Sequence, residues 1–203
     1  MEPEKRKRKL QKRSIETKEK IIDTAYHLFC TKGYFDTSTN EIAKAAEISI
    51  GGLYAHYPDK DTIFMEILDR YNQSFVSVLD KLSGEMPLYQ SDPKAWLRRL
   101  VEDLVVLHQN SKELNKEIEI LSFSKPEVAK VRKAQHEKTR QIMAHFLSNK
   151  KIEPKVEDLE ASSIILMGLL DVVVEQIAFG EHIVSDDRVF QAGVDAMFRL
   201  LEG

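Results

Sequence analysis

Cysteine is nearly absent from this chain: Cys30 is the single one in 203 residues. That excludes an intramolecular disulfide and any multi-cysteine metal site. Cys30 falls on an apolar stripe at helical spacing, so it is expected in a core. Proline and glycine are sparse, at six and eight residues, which favours long uninterrupted helices. Alternating strand patterns, internal repeats and sustained heptads are missing, which points to an all-α protein. Neither His-x-x-x-His nor Glu-x-x-His occurs, so the usual helical zinc and di-iron spacings are excluded. No glycine-rich phosphate loop follows a strand. No cofactor and no catalysis are expected.

Long apolar runs without charge are also lacking. The longest apolar stretch, 164–179, carries Asp171 and Glu175 and is short for a membrane span. The basic N-terminus is not followed by the apolar run of a secretory signal. These features predict a cytoplasmic protein with no membrane partner. The net charge of -3 hides an asymmetry. Residues 1–60 hold twelve Lys/Arg against nine Asp/Glu, a surplus of +3, and the remainder holds eighteen against twenty-four, a balance of -6. A basic surplus at one end suits phosphate binding. It is densest in Lys5, Arg6, Lys7, Arg8, Lys9, Lys12 and Arg13. Residues 1–13 are read either as an arm on the DNA backbone or minor groove or as a solubilising tail.

The length allows one small domain and one medium one. A first helix is expected from Ser14 or Thr17, with Ile21, Ile22, Ala25, Leu28 and Phe29 as its apolar stripe and Gly33 as a left-handed C-cap. Ser38 or Thr39 caps a second helix, with Glu41 placed for a capping box. A third begins near Ser49 and Ile50. Asp59 caps a fourth, long and amphipathic, running to Leu82. A loop follows over 84–93. From Pro93 to the end the pattern is helix after helix, with Pro154 preceding an almost wholly apolar one over 159–179. The expected architecture is about nine helices: an N-terminal three-helix helix-turn-helix bundle (14–60), a connecting helix (61–82) and a larger C-terminal bundle (83–203).

Residues 37–60, TSTNEIAKAAEISIGGLYAHYPDK, carry the sharpest signal. They read as two short helices around a tight turn, with Ile42, Ala43 and Ala46 facing Ile48 and Leu53. Ser49, Gly51, Gly52, Tyr54, His56 and Lys60 are left outside that apolar contact. Such a pair can place its second helix in the DNA major groove, which admits one helix. The two glycines are poor helix formers, costing roughly 1 kcal/mol each relative to Ala. Either they permit close approach to a phosphate or base, or they only ease the turn.

In Ile42-Ala43, Ser49, Gly51, Leu53-Tyr54, His56-Tyr57-Pro58 and Lys60, this segment resembles the TetR family of bacterial transcriptional regulators. The likeness covers residues 17–68. Glu47 stands where that family most often has the turn glycine, Gly52 where it has Thr, Ser or Ala, and Ile50 and Ala55 at positions often polar. The resemblance implies that Thr39, Ser49, Ile50, Gly51, Gly52, Tyr54, Ala55, His56 and Lys60 face DNA. Tyr54, Lys60 and Thr39 would hold phosphates, and Gly51, Gly52 and Ala55 would lie nearest the base edges.

The resemblance also implies dimerisation through the last two long helices. The apolar 159–179 helix is too apolar for one-sided burial, and Ile164, Gly168, Val172 and Glu175 with Val194 and Phe198 are the candidate interface. Gly168 either allows close helix approach or is merely tolerated. A ligand inside the C-terminal bundle is the third implied property. Trp96, His108, Phe123, Met143, Phe146, Met167 and Phe179 are candidate lining, each also readable as ordinary core. Asp171 and Glu175 suit a cationic ligand, a partner-chain base or a pairing across an interface.

The combined reading is a sequence-specific, homodimeric regulator of transcription on a palindromic double-stranded operator, a repressor released by a small apolar or cationic ligand. The alternatives are a DNA-binding regulator without a ligand and a helical protein-interaction module.

Overall fold

The computed structural model describes residues 3–148, 155–181 and 183–202, with side chains from Gln11 onward except at Ser83 and Met86. These residues form ten helices: α1 (Pro3–Lys32), α2 (Thr39–Ala45), α3 (Ile50–Tyr54), α4 (Lys60–Ser83), α5 (Met86–Ser91), α6 (Pro93–Gln109), α7 (Lys112–Ser124), α8 (Pro126–Leu147), α9 (Leu159–Phe179) and α10 (Asp186–Glu202). Among the described residues there is no strand. The all-α expectation holds, with ten helices where about nine were expected.

Two boundaries differ from the sequence reading. α1 starts at Pro3 rather than near Ser14 or Thr17, so the basic run is helical. Its Lys, Arg, Glu and Gln residues are good helix formers without an apolar stripe to reveal them, and Pro3 suits a first turn. α5 occupies the stretch expected as a loop, with a proline in its first turn. Pro154 lies outside the described residues.

Local chemistry explains most helix starts. The carboxylate of Asp59 accepts from the Thr62 N–H (2.7 Å), that of Asp92 from the Ala95 N–H (2.9 Å), and that of Asp158 from the Ala161 N–H (2.9 Å). Each satisfies one of the orphan donors of a first turn.

The contacts divide the chain into two compact units. The first runs to Arg70 and takes in Glu113–Leu121; the second holds Tyr71–Lys112 and the chain from Ser122 on. Hydrophobic spacing marks a helix but not the point along it where its neighbours change, so 60, 82 and Arg70 are all natural places to cut α4. In the first unit Ile21, Ile22, Ala25 and Phe29 of α1 are buried with Ile42, Ala43, Leu53, Tyr57, Ile63, Phe64 and Ile67. Phe29, Tyr34 and Phe64 form a ring cluster with centroids 5.0–6.0 Å apart, a favourable arrangement for aromatic packing. Cys30, expected in the core, is half-buried.

The second unit is built on α6, α8, α9 and α10. Trp96 stacks on Phe146 at 4.4 Å and 7°, and its indole N–H donates to the Leu82 carbonyl (2.9 Å). α9 buries Leu166, Met167, Leu170, Val173, Val174 and Ile177 on one side. Its opposite side leaves Ile164, Ile165 and Val172 at 53%, 55% and 65% exposure. α9 has the length and apolarity of a membrane span, but here one side of it forms the core of a helical bundle. The tight α9–α10 contact is made by Gly193, where a Cβ would overlap Val173. Gly168 faces open space.

Candidate nucleic-acid interface

The α2–α3 pair is closed by backbone chemistry at its turn. Ala46 ends α2, the Glu47 N–H donates to the Lys44 carbonyl (3.1 Å) and the Ile48 N–H to the Ala43 carbonyl (3.0 Å). This is a Schellman arrangement, in which the residue after the cap is left-handed. Glu47 occupies that position with φ 53. The geometry explains why glycine is favoured there and why Glu47 is an unusual occupant. Its carboxylate pairs with Lys20 of α1 at 3.0 Å, and that pairing holds it below the usual carboxylate range.

α3 is a single five-residue helix. The Ser49 hydroxyl accepts from the Gly52 N–H (3.0 Å) as its N-cap. Leu53 is its buried anchor. The outward side presents Ile50 at 37% exposure, Gly51, Tyr54 at 49% and Ala55, with Gly52 and His56 half-exposed. A Cβ at Gly51 would meet nothing, whereas one at Gly52 would press on the Ser49 hydroxyl at 3.2 Å. Of the two glycines, Gly52 therefore serves the cap and Gly51 leaves the surface open. The Tyr54 hydroxyl meets the Thr39 hydroxyl at 3.1 Å. That contact joins the first turn of α2 to the end of α3.

The turn before α2 is held by several bonds. Gly33 has φ +88. Its carbonyl accepts from the Thr37 hydroxyl (2.8 Å), and the Lys60 ammonium donates to the carbonyls of Tyr34 (2.7 Å) and Thr37 (2.8 Å). Lys60 also lies 4.1 Å from the Tyr34 ring centroid, a cation–π distance. The Tyr34 hydroxyl donates to Asp61; burial first and that bond second push the phenol above its ordinary range. The motif alone assigns Lys60 to a phosphate. The fold gives its ammonium a second job, pinning this turn beside an open recess lined by Phe35, Asp36, Thr37, Ser38, Thr39 and Lys60.

The exit of the helix pair is fixed by a network that sequence reading missed. The Tyr57 hydroxyl donates to Glu66 (2.9 Å), which also meets Lys18 (2.8 Å) and Arg70 (3.4 Å), and Arg70 reaches Glu19 at 2.8 Å. Burial opposes ionisation of Glu66, but its bonds to Lys18 and Tyr57 hold it below the usual carboxylate range. The four-residue spacing of Glu66 and Arg70 was a visible signal. Nothing in the sequence pairs Lys18 or Glu19 with them.

Four of the candidate ligand residues share one core, and the others lie outside it. Trp96, Met143, Phe146 and Met167 are packed in the core of the second unit, where Trp96 stacks on Phe146. Phe123 is 86% exposed. His108 is half-buried, between Phe75 (5.1 Å) and Phe179 (5.7 Å), with its Nδ1 buried and without a partner among the described residues. Burial pushes its pKa down to about 4, so it is neutral at pH 7. Asp171 reaches solvent on one side yet is crowded by protein on the other. Desolvation raises its carboxyl to about 6, Glu175 adds repulsion and Arg132 opposes. Of the candidate interface residues, Ile164, Gly168, Val172 and Glu175 are exposed. Val194 is 0% exposed, held in the α9–α10 core, and Phe198 is half-buried.

A capped helix, a Schellman turn and a second short helix with an outward, glycine-opened side form a helix-turn-helix. Residues 21–67 match the family described as bacterial regulatory proteins, tetR family. The match covers 47 of the 203 residues, so the likeness to the TetR family is carried by this N-terminal segment. The chain is 33% identical over 94 residues to the HTH-type transcriptional regulator AcrR of Shigella flexneri, covering 46% of this chain and 42% of that one. It is 37% identical over 62 residues to the biofilm operon icaADBC negative transcriptional regulator IcaR of Staphylococcus epidermidis, covering 30% of this chain and 34% of that one. A structure from Saccharomonospora viridis, determined in complex with choline, shares the fold with a TM-score of 0.72 at 22% identity, over 90% of this chain and 96% of that one. The matched part spans about a quarter to a half of the curated relatives' length. The family and these relatives are transcriptional regulators, not enzymes.

Proposed function

We propose that this protein is a homodimeric repressor that binds a palindromic operator and leaves it when a small ligand binds its second unit. The observation that carries the reading is the outward side of α3. It is anchored by Leu53, capped by Ser49, tied to α2 through Tyr54 and Thr39, and smooth at Gly51 and Ala55. Tyr54 and Thr39 would meet phosphates, with Ser49, Ile50 and His56 at the edge of the contact. With no long polar side chain between them, reading would lean on backbone fit, water and DNA shape. The relative named a negative regulator supports the repressor sign.

Dimerisation is supported by the uncovered apolar side of α9, where Ile164, Ile165 and Val172 flank the open Gly168. A twofold dimer would set two α3 helices about one DNA turn apart, roughly 34–36 Å. A ligand is supported by the row of rings Tyr71, Phe75, His108 and Phe179 together with the exposed carboxylates Asp171 and Glu175. Rings and carboxylates suit an organic cation, and a protein of the same fold was solved with choline. Ligand-linked release would run through α4, whose first part belongs to one unit and whose remainder belongs to the other. A coupling of about 1–3 kcal/mol gives roughly 5–150-fold weaker operator binding. A gel shift with the duplex upstream of the protein's own gene tests the reading. A retarded band resisting unrelated competitor DNA and weakened by a quaternary ammonium panel is expected. No retardation at low ionic strength removes the DNA-binding claim, and retardation indifferent to every ligand removes the release mechanism.

A further inference from the structure

The turn that precedes α2 is gripped from a distant part of the chain. Lys32 ends α1 in right-handed backbone and Gly33 is left-handed. Such a pair points the following N–H groups into one concavity, a shape that binds anions. Here the anion is a side chain. The N–H groups of Tyr34 and Phe35 donate to the carboxylate of Glu117 on α7. A Cβ at Gly33 would overlap Glu117 Oε1, so the glycine is required twice, once for its backbone and once for the approach of the carboxylate. The carbonyls of Gly33, Tyr34 and Thr37 are held by the Thr37 hydroxyl and the Lys60 ammonium. Among the holders of this turn, Glu117 is the one supplied by a helix outside residues 14–60.

The arrangement costs charge. Glu117 Oε2 is buried with no partner among the described residues. Burial, with Asp36 and Glu113 repelling, raises its carboxyl above the usual range despite the two N–H donors. A neutral side chain of the same length would be easier to accommodate. What the carboxylate supplies is a stronger hold on two amides, because charge-assisted hydrogen bonds are about twice as strong as neutral ones.

We propose that Glu117 is a positioning residue for DNA binding: it clasps the α1–α2 turn and so makes α7 a second input, besides α4, to the geometry of the reading head. The proposal rests on the DNA-binding reading above. The turn leads directly into Ser38, the cap of α2, and Thr39, the partner of Tyr54. A turn freed from Glu117 must be ordered again when DNA binds, and that ordering is subtracted from affinity. α7 suits the role, because its residues Glu113–Leu121 pack with the first unit while the residues on either side belong to the second. A displacement of α7 would withdraw the carboxylate without any movement inside α2 or α3.

The test uses the full chain and four proteins: wild type, Glu117→Ala, Glu117→Gln and Gly33→Ala. Amide hydrogen exchange at Tyr34 and Phe35 reads the clasp, and affinity for the duplex upstream of the gene reads its consequence. Glu117→Ala is expected to free both amides and weaken DNA binding by about tenfold, the factor that 1.4 kcal/mol makes. Glu117→Gln retains an acceptor oxygen and removes the repulsion with Asp36 and Glu113. It should stay within about threefold of wild type in affinity and melt no lower than wild type. Gly33→Ala should match Glu117→Ala in both readouts by excluding the carboxylate. Unchanged exchange of the two amides in Glu117→Ala overturns the clasp. Freed amides with undiminished affinity, or a Gln variant as weak as the Ala variant with its amides still protected, overturn the positioning role. If wild type binds no duplex while Glu117→Ala still frees the amides, the DNA-binding reading falls and the clasp stands.

Discussion

Gly193 offers a sharp test of the packing that holds the second unit together. It lies in the interior of α10, where glycine costs roughly 1 kcal/mol relative to alanine. At an open site Gly193→Ala would therefore stabilise by about that amount. The structure leaves no room for the methyl: it would overlap Val173 Cγ2 and stand 3.0 and 3.2 Å from Cγ1 and Cβ. Overpacking of this kind costs about 1–3 kcal/mol. The difference is a net loss of roughly 0.5–2 kcal/mol. Val173→Ala removes the two obstructing methyls and costs about 1–2 kcal/mol by itself. In the double variant the new methyl occupies the vacated space. The two changes should then be less damaging together than their sum by about 1–2 kcal/mol, well beyond the ~0.5 kcal/mol within which independent sites add. Urea unfolding followed by far-ultraviolet circular dichroism gives all four corners of the cycle. A stabilised Gly193→Ala single variant, or strict additivity, would refute the close α9–α10 contact.

Lys60→Ala should lower the stability of the first unit by about 1–3 kcal/mol, through two lost charge-assisted bonds to carbonyls. It should change the salt slope of DNA binding by less than one unit; a fall of a full unit in that slope would make Lys60 chiefly a phosphate ligand. Val172→Glu places a charge on the uncovered side of α9 and should shift sedimentation from dimer to monomer while leaving the helical circular dichroism unchanged; a variant that stays dimeric moves the interface elsewhere. For Asp171 the folded pKa, about 6, lies above the ordinary aspartate value. The folded state therefore binds a proton that the unfolded chain has lost, and stability falls as pH rises from about 4 to 6. Asp171→Asn should melt higher than wild type at pH 7, with the gap closing towards pH 4; a pH-independent gap would deny the raised carboxyl.

Much of the architecture was legible in the sequence because long apolar stripes and local caps are short-range signals. Asp59, the Ser49 cap, Gly33 as a left-handed C-cap and the 159–179 helix could all be read from neighbours three or four residues apart. α5 and the start of α1 could not, since α5 is only six residues long and the start of α1 is a run of charges. The site was legible in outline only. The family motif located α2 and α3, but the bonds that fix them come from residues far apart in sequence. Lys60 reaches back to Tyr34 and Thr37, and Glu66 gathers Lys18, Tyr57 and Arg70. The same limit explains why Trp96, Met143, Phe146 and Met167 read equally well as pocket or core. Side-chain type sets the affinity for an apolar place, while only packing decides whether that place is filled. Val194 was misplaced to an interface because an apolar position on a two-sided helix gives no sign of which side meets the protein's own core.

The central claim is a pair of short, glycine-opened helices set into adjacent grooves of one duplex. Hydroxyl-radical footprinting of the purified protein on the duplex upstream of its gene measures this directly. The account predicts two protected half-sites related by a twofold axis, about one helical turn of DNA apart from centre to centre. Absence of protection at low ionic strength, or a single unpaired protected patch, would contradict it.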